Sequence, residues 1–557
     1  MEENDKFFQA ERNVLLRHVL SLLGLKKELG ENGVSFFTIR KKSVDARKKH
    51  EGGIYFIYTV DLAFRGEKKK HWRLPKNASI LLEEKEKEET RYRKSSSLRP
   101  VVAGAGPAGL FCALTLARAG YAPLLLERGG MVSERKKDVA EFWETGILLP
   151  DTNVQFGEGG AGTFSDGKLN TMVKDKYGLS RRVFETFVQC GAPGEILYLN
   201  KPHIGTDYLC SVVAGIREEI KRLGGEVLFH TRLSDIEYTP EGRLCRIELS
   251  EQGEKGKIVK KWIACEQLVL AVGHSARDTF AMLHRRGVPM EPKPFAVGVR
   301  IEHSQEWLDQ TQYGRSSKNS GFLKPADYKL TQTIRGRGTY SFCMCPGGYV
   351  VNASSEEGHL TVNGMSYFKR DSQNANSALV VAVSPSDYSS SSPLSGVEFQ
   401  RKWEKKAYEA GGGKVPVQLF GEFRQKRFSE GFGNIRPQHK GAVQFANLWD
   451  CLPDYVAENI RDGILAFGER MKGYDTEEAI LSGIEARTSS PVRIPRGDTL
   501  ESGIRGIYPC GEGAGYAGGI TSAAMDGIRV AQRLMENDRS AMQAGEMRNE
   551  IWMREKY

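Results

Sequence analysis

Apolar and polar positions change their periodicity along the chain and divide it into segments of different character. Residues 7–24 carry apolar side chains at helical spacing and end at Gly24, which predicts a helix. The stretches GVSFFTIRKKSVDARKK and GGIYFIYTVDLAF then predict two strands with a short basic helix between them. The charged stretch LEEKEKEETRYRKSSS predicts an exposed linker. Residues 1–97 are therefore expected to form a small basic α+β domain.

From Leu98 onward, short apolar strands end in glycine turns and continue into helices. Residues 98–290 predict the first part of a doubly wound α/β domain, and residues 476–557 return to strand, glycine turn and a C-terminal helix. Between them, residues 291–475 are rich in strands and turns, with helices expected around 397–411 and 454–471. The predicted fold is an α/β domain in two parts, interrupted by a β-rich α+β domain.

The first glycine turn has the surroundings of a dinucleotide site. An apolar strand at residues 100–103 runs into Gly104, Gly106 and Gly109, and a helix follows. In such a turn the first glycine permits the bend, the second lets the backbone approach a pyrophosphate, and the third allows close packing of helix on strand. Glu127 ends the next strand, 23 residues after Gly104, where an acid bonds a ribose 2′-hydroxyl. A carboxylate there would repel a 2′-phosphate, which argues against NADP.

The same glycine spacing recurs near the end of the chain, in GIYPCGEGAGYAGG. No apolar strand tipped by an acid follows it, so a second complete nucleotide domain is not expected. Glu512 ends the preceding strand and can bond a ribityl hydroxyl. The helix that starts near Thr521 can stabilise negative charge on the N1/C2 side of a flavin. The two turns therefore favour one non-covalent FAD held at both ends.

At this point the chain resembles glutathione-reductase-type FAD proteins, through its first turn, LVLAVGHSARDTF and YPCGEGAGYAGG. More narrowly, it resembles a family of uncharacterised bacterial FAD-dependent dehydrogenases, through VQFGEGGAGTFSDGKLNT, KPHIGTD, KPFAVGVRIEH, FCMCPGGYVVNASSEEG, VNGMSY, NANSALVV and GIEARTSSPVRIPR. The resemblance covers most of residues 40–530. It implies a Rossmann-type FAD-binding domain interrupted by a substrate-facing cap domain, with an N-terminal extension, and it leaves the substrate open.

The resemblance also implies which residues meet the dinucleotide half of FAD. The pyrophosphate is expected at Gly104, Gly106, Pro107, Ala108 and Gly109, and the adenosine at Glu127, Arg128 and the backbone of Leu233.

Three further segments are expected along the rest of the cofactor. A second glycine loop would run past the pyrophosphate and the isoalloxazine, and a small-residue turn would follow a later strand with Val272 in place of the usual threonine. The late turn would meet the ribityl chain and the ring, with a Gly-Glu pair where Gly-Asp is common. These residues are Gly159, Gly160, Gly162, Thr163 and Lys168, then Ala271 and Gly273, then Gly511, Glu512, Gly518, Gly519 and Ile520.

No catalytic acid or base can be assigned from the sequence, because a flavin would itself carry the hydride step. Three weak candidates remain, each with an ordinary alternative. Lys168 can stabilise a reduced anionic ring or bind phosphate or solvent. Arg487 can bind an anionic substrate or form an internal salt bridge. Tyr516 can cover the flavin ring or simply pack beside it.

Cys343 and Cys345 would share one face of a strand, so a redox pair is conceivable. A disulfide across so short a loop would be strained, and two small buried apolar side chains are the favoured interpretation. The ten histidines are scattered and no C-x-x-C or H-x-x-x-H pattern occurs, so no metal site is predicted.

The charge of the chain is unevenly distributed. Residues 1–99 hold 23 Lys and Arg against 15 Asp and Glu, which accounts for +8 of the net +10. The basic runs RKK, RKK and KKK can touch nucleic acid, but no aromatic RNA-binding signature accompanies them, and a solvated face is favoured. The polar N-terminus, the absence of a long apolar run and nine irregularly spaced cysteines predict a cytoplasmic protein.

The leading hypothesis is an FAD-dependent oxidoreductase that moves a hydride between flavin N5 and a small organic substrate. Transient reduction by NAD(P)H or another reductant, and a monomer or homodimer, are compatible with it; binding to a membrane or to nucleic acid is not expected. One alternative is an FAD-dependent RNA-modifying or RNA-binding protein that docks through residues 1–97. Another is a flavin-binding scaffold without turnover.

Overall fold

The computed structural model describes residues 2–22, 34–49, 53–64, 78–79, 98–253, 257–314, 323–388 and 392–555. The chain forms two compact units, one made of Met1–Thr90 with Gly194–Pro202 and the other of Arg91–Pro193 with His203–Tyr557. The predicted linker at residues 82–97 lies outside the described residues.

The smaller unit contains helix α1 (Glu2–Leu22) and the antiparallel strands β1 (Val34–Lys48) and β2 (Gly53–Phe64). Leu20 of the helix and Ile39 of β1 are buried in one apolar cluster. The segment Gly194–Pro202, which the sequence pattern assigned to the larger domain, joins this unit by backbone pairing. The Lys42 amide donates to the Tyr198 carbonyl at 2.7 Å, and the Asn200 amide donates to the Lys42 carbonyl at 2.9 Å.

The prediction of a short basic helix between these two strands is wrong. Its residues continue β1, where Val44 pairs with Phe56. Alternation of side chains across a long ladder overrides the local helix preference of the charged residues. Three of the six cations of the first two basic runs form ion pairs within the unit, Arg40 with Asp61, Lys42 with Glu11 and Arg47 with Asp45. The third run, residues 68–70, lies outside the described residues.

The larger unit begins with the alternating strands and helices that the sequence predicts. The elements are β3 (Val101–Ala103), α2 (Pro107–Arg118), β4 (Leu124–Leu126), α3 (Val132–Thr145), α4 (Leu179–Gln189), α5 (Gly205–Arg222), β5 (Glu226–Leu228), β6 (Thr231–Tyr238), β7 (Leu244–Gln252), β8 (Ile258–Ala264), β9 (Leu268–Leu270) and α6 (Arg277–Arg285).

The rest of the larger unit is rich in strands and ends in the long C-terminal helix. The elements are β10 (Glu291–Pro292), β11 (Phe295–Ser304), α7 (Gln305–Tyr313), β12 (Thr331–Ile334), β13 (Arg337–Cys345), β14 (Tyr349–Asn352), β15 (Val362–Met365), β16 (Asn374–Val383), α8 (Ser395–Gly411), β17 (Val415–Leu419), α9 (Phe420–Gln425), β18 (His439–Lys440), β19 (Val443–Phe445), α10 (Asp454–Arg470), β20 (Ile480–Glu485), β21 (Val492–Arg493), β22 (Ile507–Pro509) and α11 (Ile520–Glu555).

Two sheets organise this unit. The first is parallel, in the order β22-β9-β3-β4-β5, and helix α11 packs against α2 beside it. The second is a mixed seven-stranded sheet in the order β12-β13-β16-β11-β20-β17-β19. Helices α8 and α10 confirm the two helices predicted in the insertion. The fold is thus of mixed α/β type.

Strand β20 shows where the predicted domain boundary at residue 475 departs from the structure. It was assigned to the second part of the nucleotide domain, but it pairs between β11 and β17 in the seven-stranded sheet. All six of its residues are buried. A strand buried on both faces has no alternating pattern that tells which sheet it joins. Among the described residues, no helix is long and apolar enough to cross a membrane.

Candidate functional site

The carboxyl ends of the parallel strands bring the two glycine turns to the same edge of one sheet. Pro509 of β22 is in register with Leu270 of β9, which is in register with Ala103 of β3. The loops that follow these strands therefore start side by side. Ligands of open α/β sheets bind at this edge, where the strand order reverses.

The three glycines of the first turn differ in what a side chain would meet at their positions. Gly104 has φ +105°, and a Cβ atom there would lie 2.4 Å from the carbonyl oxygen of Ala271. A Cβ atom on Gly109 would lie 1.8 Å from the carbonyl oxygen of Gly104. Gly106 differs, because its Cβ atom would have only the Gly160 Cα within 4 Å, at 3.9 Å. Helix α2 begins just after it, at Pro107, and no side chain caps its first amides.

The second glycine loop lies directly on the first. The Gly159 amide donates to the Ala105 carbonyl at 2.8 Å, and a Cβ atom on Gly160 would lie 3.0 Å from the Gly106 Cα. Thr163 lies in the short 3₁₀ turn that follows, and its hydroxyl donates to the Glu158 carbonyl at 3.2 Å. Gly160 also has φ +60°, so on its side of this contact a side chain would be strained as well as crowded.

The late turn joins the same cluster of loops. A Cβ atom on Gly162 would lie 3.1 Å from Ile520 Cγ1 and 3.6 Å from Pro107 Cγ, so the second loop touches both α2 and the start of α11. A Cβ atom on Gly511 would lie 2.7 Å from the Cβ of Ala108. The early and late turns, about 400 residues apart in the sequence, therefore border one crevice.

Glu512 and the start of α11 form the far end of this crevice. The Glu512 carboxylate lies 3.7 Å from Nδ1 of His274, beyond hydrogen-bond distance, so it can accept a ligand hydroxyl. Gly518 and Gly519 are exposed just before α11. A Cβ atom on Gly513 would lie 2.5 Å from the carbonyl oxygen of Gly273, which brings the loop after β9 into contact with the late turn.

Glu127 is buried and already holds three backbone amides. Its carboxylate accepts from Ala105 at 2.8 Å, Gly129 at 3.0 Å and Gly157 at 2.9 Å. It thus ties the first turn to the second loop, a role that the sequence did not predict. A carboxylate offers about four acceptor positions, so Oε2, which takes one amide, keeps capacity for a ribose hydroxyl.

The neighbouring residues expected to meet adenosine have protein partners as well. The Arg128 guanidinium donates to Asp278 at 2.8 Å and stacks over the ring of Phe156 at 4.3 Å. Leu233 is buried in β6, with its backbone paired to Leu249 of β7 on one side. Because β6 is an edge strand of its three-stranded sheet, the other side of its backbone does not belong to a ladder.

Arg135 is the main residue of the site that sequence reasoning missed. It is fully buried in α3 and donates to five backbone carbonyls between Asn153 and Gly160, at 2.7–3.2 Å. Burial lowers the pKa of Arg135 to about 10. This guanidinium fixes the conformation of the second glycine loop. No sequence signal marked it, since α3 reads as a polar surface helix.

Lys168 follows the second loop and reaches the inserted domain. Its ammonium donates to the carbonyl oxygen of Met344, in the strand β13. The next residue, Leu169, accepts a hydrogen bond from the Thr521 hydroxyl at 2.8 Å, in the first turn of α11. Nearby, Asp166 is buried and pairs with Arg370, with 3.1 Å from Nε to Oδ1. Lys168 therefore lies at the boundary between the crevice and the inserted domain.

Two of the weak catalytic candidates are engaged elsewhere. Arg487 is buried and donates through Nε and Nη2 to both oxygens of Glu404, at 2.9 and 2.8 Å. Of the two roles expected for Arg487, binding an anionic substrate or forming an internal salt bridge, these contacts are the salt bridge. The Tyr516 hydroxyl donates to the Ile494 carbonyl at 3.2 Å, and its ring lies against Arg496 at 3.8 Å. These contacts support packing rather than cover of a flavin.

The residues present fit an FAD. The space beside Gly106 is open, because a Cβ atom there would meet only the Gly160 Cα at 3.9 Å, and no side chain caps the helix α2 that begins beside it. Glu512 supplies an acceptor, and the start of α11 supplies a second helix N-terminus beyond it. The described residues contain no group of three or more His, Cys, Asp or Glu that could hold a metal ion.

Comparison with known proteins agrees with this fit. Residues 294–488 match the model of the family described as FAD-dependent protein, C-terminal domain-like. An uncharacterized protein of Clostridium beijerinckii is 49% identical over 530 residues, which are 94% of this chain and 96% of that one.

Solved structures of flavoproteins are also similar, at much lower identity. A flavoprotein/dehydrogenase of Cytophaga hutchinsonii is 11% identical with a TM-score of 0.34, covering 80% of this chain and 79% of that one. Quinol fumarate reductase of E. coli is 14% identical with a TM-score of 0.36, covering 80% and 70%. On the strength of the match to the Clostridium protein and of the family model, the chain belongs to this family of FAD-dependent proteins.

Proposed function

We propose that this protein is an FAD-dependent oxidoreductase in which a single FAD spans the crevice and exchanges a hydride with a small organic substrate. The observation that carries the proposal is the convergence of the two glycine turns at Gly162, which borders both Pro107 and Ile520. When bound, the flavin supplies the hydride chemistry at N5. The protein binds the FAD, orients its ring and sets the charge around that ring.

The first turn and the second loop would bind the pyrophosphate. The N-terminus of α2 offers backbone amides and the positive end of a helix dipole, which stabilise phosphate charge. Arg135 and Glu127 lie beneath the two loops and hold them in place through backbone groups. The binding surface is thus preorganised, which lowers the entropic cost of ordering loops around the cofactor.

The late turn would orient the ring. Glu512 would accept a ribityl hydroxyl, and the N-terminus of α11 would stabilise negative charge on the pyrimidine side of the ring. Lys168, placed one residue before the contact with Thr521, would add a fixed positive charge on the side of the inserted domain. We assign the substrate pocket to that side, with NAD(P)H as a transient rather than resident reductant.

The test is cofactor capture followed by a substrate screen. Purified protein is expected to carry, or to take up, one FAD per chain with the visible absorbance of oxidised flavin. Anaerobic incubation with single metabolites is then expected to bleach that absorbance for one chemical class. Protein that stays colourless after incubation with FAD would contradict the proposal. Flavin that is bound but that no metabolite reduces or reoxidises would favour a scaffold without turnover.

A further inference from the structure

A pair of thiols lies on the inserted domain beside Lys168. Cys343, Met344 and Cys345 end strand β13, where a bulge interrupts its pairing with β16: Phe342 faces Ala378, but Cys345 faces Asn376. Cys343 adopts φ +43°, the left-handed region that side chains other than glycine and asparagine rarely occupy. Such strain persists where the surrounding structure enforces it, commonly at functional sites.

The bulge changes the relation between the two thiols. On a regular strand they would share a face and be buried alike, whereas here Cys345 is fully buried and Cys343 is half-buried. The Cys345 thiol donates to the Cys343 carbonyl at 3.3 Å, so the bulge turns it back toward the preceding cysteine. A half-buried cysteine two residues before a fully buried one is the arrangement expected of an attacking and a resolving cysteine.

The surroundings favour the thiolate of Cys343. The Cys345 thiol and the nearby cations of Arg300 and Lys168 hold the pKa of Cys343 below the usual range of a thiol, and burial raises the pKa of Cys345. Arg300 is fully buried and reaches the bulge directly, donating to the Cys343 carbonyl at 3.0 Å. Two carboxylates also face this region, Glu485 paired to Arg300 and Asp166 beside Lys168.

We propose that Cys343 and Cys345 form a redox-active dithiol that exchanges two electrons with the flavin and, through Cys343, with disulfide or dithiol substrates. The link to the crevice is Lys168, which donates to the Met344 carbonyl between the two cysteines and directly precedes the residue bonded to α11. This inference rests on the proposed function, since it takes the flavin to lie in the crevice described above.

The exchange with the flavin balances without a further reactant. The Cys343 thiolate and the Cys345 thiol form one S–S bond and together release two electrons and one proton, which oxidised flavin takes up to become its two-electron-reduced anion. The exchange with an external disulfide is equally complete. Cys343 attacks one sulfur and releases a thiolate, which takes the proton of Cys345; Cys345 then displaces the second thiolate as the internal disulfide forms.

The apoprotein tests the dithiol without any flavin. After treatment with diamide, acid quench and alkylation, the tryptic peptide of residues 338–369 contains both cysteines. We expect it to carry no alkyl group and to be lighter than the reduced peptide by the mass of two hydrogen atoms. After reduction with dithiothreitol and a second alkylation, it should gain two alkyl groups. Two alkyl groups on this peptide after diamide would overturn the proposal.

The holoprotein tests the coupling. Anaerobic titration with dithionite is expected to take four electrons per FAD when the protein starts from the disulfide form. The variants Cys343→Ser and Cys345→Ser should take two, and Cys245→Ser, which alters another half-buried thiol, should still take four. Uptake of two electrons by wild-type protein that binds FAD would overturn the dithiol and leave the proposed function standing. Failure to bind FAD would overturn both.

Discussion

Replacing Gly106 with alanine is expected to weaken FAD binding without destabilising the folded apoprotein. Gly106 has φ −74° and ψ −179°, an extended conformation open to any residue. The added Cβ atom would meet nothing within 4 Å except the Gly160 Cα at 3.9 Å. Alanine is therefore expected to leave the folded apoprotein intact, while its methyl group occupies the space above the first amides of α2.

The expected magnitude follows from the cost of forcing an extra methyl group into a packed contact. That cost is typically about 1–3 kcal/mol. Since each ~1.4 kcal/mol is a factor of ten, the dissociation constant of FAD should rise about 5- to 150-fold. The free energy of unfolding of the apoprotein should change by less than about 1 kcal/mol.

The assay is a titration of apoprotein with FAD, followed by flavin fluorescence, beside urea unfolding without FAD. Gly431→Ala is the matched control, because Gly431 is exposed in the inserted domain with nothing within 4 Å of its Cβ position. Gly109→Ala should instead damage the fold, because its Cβ atom would lie 1.8 Å from the Gly104 carbonyl oxygen. The reasoning is refuted if Gly106→Ala binds FAD as tightly as the wild type.

Four further changes test other parts of the account. Arg135→Met leaves five carbonyls without their donor and should lower the free energy of unfolding by at least about 3 kcal/mol in urea; an unchanged midpoint would contradict its role. Lys168→Met removes a cation near the ring and should lower the flavin reduction potential by roughly 30 mV, measured against a reference dye; a rise would contradict it. Burial lowers the pKa of His303 to about 4, so the unfolded chain takes up a proton first as pH falls below 6.5. His303 alone should therefore lower the stability by roughly 2 kcal/mol between pH 7.5 and pH 5; His303→Gln should remove that part of the loss, and a variant with an unchanged pH profile would contradict it. Alkylation of Cys343 by iodoacetamide should reach half its maximal rate at a lower pH than that of an ordinary thiol, and a midpoint near that of an ordinary thiol would refute an activated thiolate.

Features that depend on neighbouring residues were predictable from the sequence. The strand, glycine turn and helix at β3 and α2 were predicted because each glycine has a separate steric reason within a few residues. The lack of an acid-tipped strand after the late turn favoured one dinucleotide over two, and the contacts of Gly162 and Gly511 do bring the two turns together. The roles of the individual residues in holding FAD stay predictions.

Features that depend on distant pairing were not predictable. Arg135 reads as one more charge on a polar helix, and only the path of the loop over it reveals five carbonyls. The three amides that Glu127 accepts come from three separate segments. The buried strand β20 was misassigned because its partner β11 lies far along the chain, whereas the basic run in β1 was misassigned because its pairing with β2 overrides the local helix preference. The bulge at Cys343 likewise depends on β16.

The most direct test of the central claim is a crystal structure of the protein with FAD bound. The account predicts one FAD per chain, with its pyrophosphate at the start of α2 and its ring between Glu512 and the start of α11. Two nucleotides at the two glycine turns, or one FAD that touches only one of them, would contradict it.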